Sequence, residues 1–275
     1  MQAQASKTYL SVGDMRLEYR LIGEKPAHSP TIVMLHEGLG SIRTWGEFPR
    51  LLSEATGASV FVYSRDGYGS SPLAQEKLPI DYIRRHASAV LPRILDEIGF
   101  SRGILLGHSD GASMAAAYAG TANDPRVRGL VLMAPHFFVE EATLAEIRNA
   151  RVAYENRDLR QRLSRYHEDV DAAFLRWNDV WLDPQFPSFD LSAELSNIKV
   201  PTLIIRGDDD RYGTHQQVWE AEKLHRGTLK TLLMPDCGHV PHREKPAQTI
   251  EAIATFCKPL LATADESADV ATQLR

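Results

Sequence analysis

The chain has 275 residues, a formal net charge of −5, 43% hydrophobic residues and 24% charged ones. That balance is ordinary for a globular protein and argues against disorder or a membrane-embedded chain. The mild acidity offers no basic footprint for nucleic acid. No apolar run approaches the length of a transmembrane helix, and Met1–Lys7 lacks a secretory pattern. The cytoplasm is therefore the expected location. Cys237 and Cys257 are too few for a disulfide framework in a chain this long. They are expected as reduced thiols, with a single bridge left open.

The first elements read as a hairpin, Thr8–Val12 and Met15–Leu21 around a Gly13-Asp14 turn. Short apolar runs rich in β-branched residues follow at Thr31–Leu35, Ser59–Tyr63, Gly103–Leu106, Leu130–Met133, Thr202–Ile205 and Thr228–Met234. Runs of this kind suit strands buried on both faces, as in a parallel sheet. Between them lie helical patterns at Arg84–Ile98, Ala112–Ala119, Gln217–Leu224 and Ala247–Phe256. The alternation predicts a doubly wound α/β sheet. The stretch Phe137–Leu195 breaks the rhythm. It has no clear strand but helical patterns at Thr143–Arg157, Leu159–Tyr166 and Val170–Trp181. It reads as a helical insertion forming a lid or cap, with a plain set of connecting helices as the alternative. The residues after Ala262 are small and polar, and a mobile tail is expected there.

The sharpest motif is Gly107-His108-Ser109-Asp110-Gly111. It follows an apolar strand and precedes a helix of small residues, the context a Gly-x-Ser-x-Gly nucleophile elbow requires. Flanking glycines remove side chains that would collide at the tight turn. The turn lifts the Ser109 hydroxyl out and aims N–H groups of the helix start at the reaction centre. A strand-to-helix turn with a capping serine is the plain alternative.

These residues stand with His36-Glu37-Gly38-Leu39-Gly40, Ser64-Arg65-Asp66-Gly67-Tyr68-Gly69-Ser70-Ser71, Gly207-Asp208-Asp209-Asp210 and Gly238-His239. In that order and spacing, from Thr8 to about Leu260, the chain resembles the α/β-hydrolase fold superfamily. The resemblance implies an α/β, doubly wound, mostly parallel α/β-hydrolase sheet with a helical cap insertion. Its divisions are core 1–135 and 197–262, cap 136–196 and a tail 263–275. It also implies the order Ser, acid, His. Ser109 is then the nucleophile and His239, after the last strand, the general base, with His242 its nearest rival. Asp210 is the orienting acid, and Asp209 is the alternative. His36 and His108 are expected to hold loops by hydrogen bonds.

The oxyanion of a tetrahedral intermediate needs pre-placed donors. By resemblance these are the backbone N–H groups of Asp110 and Gly38. The chain departs from the family pattern at Glu37, where glycine is common. Glu37 is expected either to make a specific polar contact with substrate, nucleophile or a neighbouring loop, or to turn away into an ion pair with Arg65 or Arg43. His136, Trp177 and Trp181 are candidate substrate contacts. The two tryptophans lie one helical turn apart and share a face, though packing of cap on core explains that face equally. No metal or cofactor is expected.

The expected partner is a small-molecule substrate, not nucleic acid or membrane; a homo-oligomer stays open. The expected activity is hydrolysis of a small or medium carboxylic ester through an acyl-enzyme. The alternatives are C–C or amide hydrolysis, as in the meta-cleavage product hydrolases of the same fold, and a non-catalytic ligand receptor. A serine at position 109 argues against dehalogenases and epoxide hydrolases of this fold, which use an aspartate nucleophile.

Overall fold

The computed structural model describes residues 8–74 and 76–262. Met1–Lys7 and the expected tail 263–275 lie outside the described residues. The strands are β1 (Thr8–Val12), β2 (Met15–Ile22), β3 (Thr31–Leu35), β4 (Ser59–Tyr63), β5 (Gly103–His108), β6 (Val127–Met133), β7 (Thr202–Gly207) and β8 (Leu229–Met234). They form an eight-stranded sheet in the order β1-β2-β4-β3-β5-β6-β7-β8. β2 runs antiparallel to β1 and to β4; every later pairing is parallel.

Side chains alternate faces along a strand, and this sorts the core into two layers. Val33, Leu35, Leu105, Leu130 and Leu132 join one cluster. Ile32, Met34, Ile104, Leu106, Val131 and Met133 join the other. The second layer is closed by the helices Phe48–Thr56 and Pro246–Leu261. The first is closed by the helical rod from Tyr82 to Glu97, the helix Asp110–Ala122 and the helix Gln216–Leu224. Helices on both faces of a mostly parallel sheet make the doubly wound fold that the strand–helix alternation predicts.

One expectation needs correcting. β8 is not buried on both faces: most of its residues are half-buried or exposed, because it is the last strand of the sheet and has a neighbour on one side only. The rod from Tyr82 to Glu97 is not uniform. Its middle, His86–Val90, is a π turn between two α-helical stretches, and Pro92 follows at once without an N–H to donate. Both cysteines are free, buried thiols.

The segment between β6 and β7 is helical, with Glu141–Asn156, Leu159–Leu163, Val170–Trp181 and Ser192–Asn197. Asp169 caps the third helix, its carboxylate accepting from the Ala172 N–H at 2.9 Å. The segment leans on the loops at the carboxyl ends of β3 and β4. His167 Nδ1 accepts from the Gly69 N–H at 3.0 Å, and its Nε2 donates to the Leu39 carbonyl at 2.9 Å. Arg176 donates to the Asp66 carbonyl at 2.9 Å and reaches the Asp66 carboxylate at 3.2 Å. No helix among the described residues is long and apolar enough to cross a membrane.

Candidate active site

The carboxyl ends of β3, β5, β6, β7 and β8 share one edge of the sheet, where parallel α/β folds keep their crevice. Ser109 follows β5 directly with φ 53° and ψ −120°. A left-handed backbone at a residue with a side chain is strained and persists only where its surroundings hold it. Here the Ser109 N–H donates to the Met133 carbonyl at 2.9 Å, while its own carbonyl accepts from Ala112 and Ser113. The flanking glycines are required by close approach. A Cβ on Gly107 would lie 2.3 Å from the Gly111 carbonyl oxygen, and one on Gly111 would lie 2.2 Å from that of Leu35.

His239 and Asp210 meet across the loops after β8 and β7. His239 Nδ1 donates to Asp210 Oδ1 at 2.9 Å, and the same oxygen accepts the Tyr212 N–H at 2.9 Å. The other oxygen lies 3.0 Å from Arg206 Nη2, off the line of a hydrogen bond. The side chains of Asp210 and Arg206 are 1% and 0% exposed, so this is a buried charge pair. Burial works against the Asp210 charge, but His239 and Arg206 hold the carboxyl well below the usual carboxylate range. Asp209 is exposed and has no such arrangement. His242, the rival base, is packed against Trp45 and Phe48, with ring centroids at 4.6 and 5.4 Å.

Arg65 fixes the loop after β3. It donates to the carbonyls of His36 and Glu37 at 2.5 and 2.9 Å. His36 closes the same unit. Its Nδ1 donates to the Glu37 carbonyl at 2.7 Å, and its Nε2 accepts the Arg65 N–H at 3.0 Å. In a trans peptide the C=O and the following N–H point opposite ways. With the Glu37 carbonyl held toward Arg65, the Gly38 N–H is turned away from it. The Asp110 N–H opens its helix and has no acceptor within it. Gly38 also underlies the inserted helices, since a Cβ there would lie 2.0 Å from Trp177 Nε1.

Glu37 takes the loop contact, not the arginine pair. Among the described residues its carboxylate pairs with His108, Oε2 lying 3.4 Å from Nδ1. His108 Nε2 donates in turn to the His239 carbonyl at 2.7 Å. Burial opposes the Glu37 charge, yet the hydrogen bond to His108 holds its carboxyl well below its ordinary value. A chain of contacts thus runs from the loop after β3 through the elbow to the backbone of His239.

His136 lies beside the His239 ring at 5.8 Å and edge-on to Trp181 at 5.4 Å. Its Nδ1 is buried without a partner among the described residues. Burial, then the neighbouring His239, lowers its pKa well below the ordinary histidine value. Trp181 Nε1 donates to the Tyr82 hydroxyl at 3.0 Å, which donates to Asp110 Oδ2 at 2.5 Å. Trp177 and Trp181 are both buried, at 6% and 1% exposed, and face the sheet edge.

Sequence reasoning missed three groups here. Arg206 had one signal, a charge at the end of an apolar strand one turn before the acid. The Tyr82 hydroxyl and the Arg176–Asp66 pair had none, because their partners are distant in sequence.

Comparisons with known proteins bear on the family and the fold. The model of the Alpha/beta hydrolase family matches residues 32–252. The chain is 30% identical over 257 residues to the putative carbamate hydrolase RutD of Pseudomonas syringae pv. syringae, covering 84% of this chain and 94% of that one. It is 29% identical over 229 residues to the 2-hydroxy-6-oxononadienedioate/2-hydroxy-6-oxononatrienedioate hydrolase 2 of Pseudomonas putida, covering 72% and 77%. It is 26% identical over 129 residues to a proline iminopeptidase of Lactobacillus delbrueckii subsp. lactis, a match that covers 47% of this chain and less than half, 44%, of that relative's length. Among solved structures, the enol-lactonase from Burkholderia xenovorans LB400 superposes with a TM-score of 0.72 at 22% identity, covering 90% of this chain and 99% of that one. With the fold, the elbow and a family model spanning most of its length, the chain belongs to the alpha/beta hydrolase family.

Proposed function

We propose that the chain is a serine hydrolase of small or medium carboxylic esters, with Ser109 as nucleophile, His239 as general base and Asp210 as the acid that orients it. One observation carries this reading: the half-buried His239–Asp210 hydrogen bond stands at the sheet edge where Ser109 holds a strained, left-handed backbone. With its Nδ1 proton engaged by Asp210, the ring keeps Nε2 free to accept a proton. Ser109 Oγ adds to the ester carbonyl and its proton passes to His239. The oxyanion is received by the N–H groups of Asp110 and Gly38. His239 then protonates the departing alcohol, leaving an acyl-enzyme. Water attacks that ester with its proton taken by His239, and the acid leaves as Ser109 is regenerated. The inserted helices act as a cap, with Trp177, Trp181 and His136 bounding the acyl site.

A second reading, hydrolysis of an amide or a C–C bond, is favoured by the names of the relatives, which include a carbamate hydrolase and an iminopeptidase. The test is turnover of p-nitrophenyl esters of rising acyl length by the wild type and by Ser109→Ala. Turnover that vanishes in Ser109→Ala supports the ester reading. A folded wild type that cleaves amides or C–C bonds but no ester would replace it with the second.

A further inference from the structure

A cavity of about 550 Å³ lies beside the nucleophile helix, bounded by the β1–β2 hairpin, the loop after β4 and the rod from Tyr82 to Glu97. Its size is in the range that encloses small organic ligands. Ser109, Asp110, His239 and Asp210 are not among its lining residues. Tyr82 forms part of the wall and gives its hydroxyl to Asp110 on the catalytic side.

The wall has two characters. Val12, Met15, Leu17, Leu78, Val90 and Met114 make an apolar portion. The remainder is rich in donors. The Tyr68 hydroxyl and Arg176 Nε are both buried and have no hydrogen-bond partner among the described residues. The Arg65 guanidinium neighbours Tyr68, its carbon 4.9 Å from the ring centroid. Arg65 spends its bonds on backbone carbonyls and forms no ion pair among the described residues. The lining arginines, Arg65, Arg85, Arg93 and Arg176, outnumber the acids, Asp14 and Asp66. Asp66 is paired with Arg176, and Arg85 with Asp81, which leaves Arg65 and Arg93 against Asp14. A buried donor left unpaired costs about 1–3 kcal/mol. An arginine Nε–H can only donate, and a tyrosine hydroxyl can donate. The group that answers both is an acceptor oxygen, the positive lining favours an anionic one, and the apolar wall asks for a carbon body behind it.

We propose that this cavity is a second binding site, separate from the catalytic centre, for an organic monocarboxylate. The carboxylate accepts from Arg176 Nε and the Tyr68 hydroxyl under the charge of Arg65, and an alkyl or aryl body rests on Met15, Leu17 and Met114. The site does not depend on the reaction assigned to Ser109.

Calorimetric titration with hexanoate and 4-phenylbutyrate tests it, with the matched alcohols and inorganic phosphate as controls. The titrations use the wild type, the wild type blocked at Ser109 by a fluorophosphonate, Tyr68→Phe and Met15→Trp. The site predicts that carboxylates bind and the alcohols do not, and that binding survives the Ser109 block. It predicts weakening on the order of tenfold in Tyr68→Phe, the loss of one hydrogen bond. Met15→Trp, which crowds the apolar wall where the carbon body rests, weakens binding as well. Tyr68→Phe removes a hydroxyl without a partner, so its Tm should not fall, and a folded variant keeps the comparison readable. Absence of carboxylate binding overturns the proposal. So does binding lost on blocking Ser109, which would put the ligand in the catalytic site, or phosphate binding as tightly as the acids. If the fluorophosphonate fails to label, that failure bears on Ser109, and the two variants still locate the site.

Discussion

Asp210→Asn keeps the shape of the acid and removes its charge. In the wild type, Oδ1 accepts from His239 Nδ1 and from the Tyr212 N–H, and Oδ2 faces Arg206 Nη2 at 3.0 Å. An amide has one accepting end and one donating end. With its oxygen on His239 and Tyr212, its NH₂ meets the Arg206 guanidinium, donor against donor. Turned over, its NH₂ meets the Tyr212 N–H and His239 Nδ1. That nitrogen must then accept, the ring proton moves to Nε2, and the ring can no longer take the Ser109 proton. A ring locked in the wrong tautomer lowers kcat by about 10⁴. In either orientation Arg206, whose side chain is 0% exposed, loses its counter-charge. Removing one partner of a buried pair costs about 3–5 kcal/mol. Against a typical domain stability of about 5–15 kcal/mol, the variant should remain folded at 25 °C with a lowered Tm. Ester kinetics and thermal unfolding measure the two effects separately. Arg206→Met added to Asp210→Asn should recover stability without recovering turnover. A kcat within tenfold of wild type in Asp210→Asn would refute the reasoning, as would finding that Asp209→Asn is the damaging change.

Glu37→Gln should lower kcat/KM by roughly tenfold, the scale of one hydrogen bond to a charged group, through the contact Glu37–His108–His239; unchanged kcat/KM would show that this contact does not serve the base. Gly38→Ala should lower both activity and Tm, since its Cβ collides with Trp177 Nε1 and overpacking costs about 1–3 kcal/mol. Adding Trp177→Ala should return part of the Tm, and additive losses in the double variant would contradict the contact. Stability should fall as pH drops below about 6.5, the ordinary histidine value. Burial lowers His136 and His242 well below that value and pushes His86 down to about 3. The unfolded chain therefore takes up protons that the folded chain refuses, and stability is lost toward acid by about 1.4 kcal/mol per pH unit for each such ring. Asp210, held low, adds a further loss below about pH 4, the unfolded aspartate value. A flat Tm between pH 7 and 5 would show that these histidines are not held neutral.

The sheet was legible where burial on both faces leaves continuous apolar runs. Thr31–Leu35 and Ser59–Tyr63 are strands over those same residues. It was misjudged at β8, because an edge strand carries a similar composition without the burial. The elbow was legible because its glycines answer to backbone contacts close in sequence or on the neighbouring strand. Glu37 stood out as a departure from a pattern, but its partner did not. His108 is 71 positions away, and only the register of β3 beside β5 brings the two loops together. Arg206 was hidden for another reason: a buried charge in an apolar strand makes sense only once the Asp210 side chain is seen to fold back over it. The insertion's helices were readable from spacing. Its grip on the Asp66–Gly69 loop through His167 and Arg176 is a long-range contact that no local pattern encodes.

The most direct test of the central claim is intact-mass and peptide mapping after treatment with a fluorophosphonate, on the wild type, Ser109→Ala and His239→Ala. The account predicts one adduct per chain, carried by Ser109, absent in Ser109→Ala and formed far more slowly in His239→Ala. Labelling at another residue, or equal rates with and without His239, would contradict it.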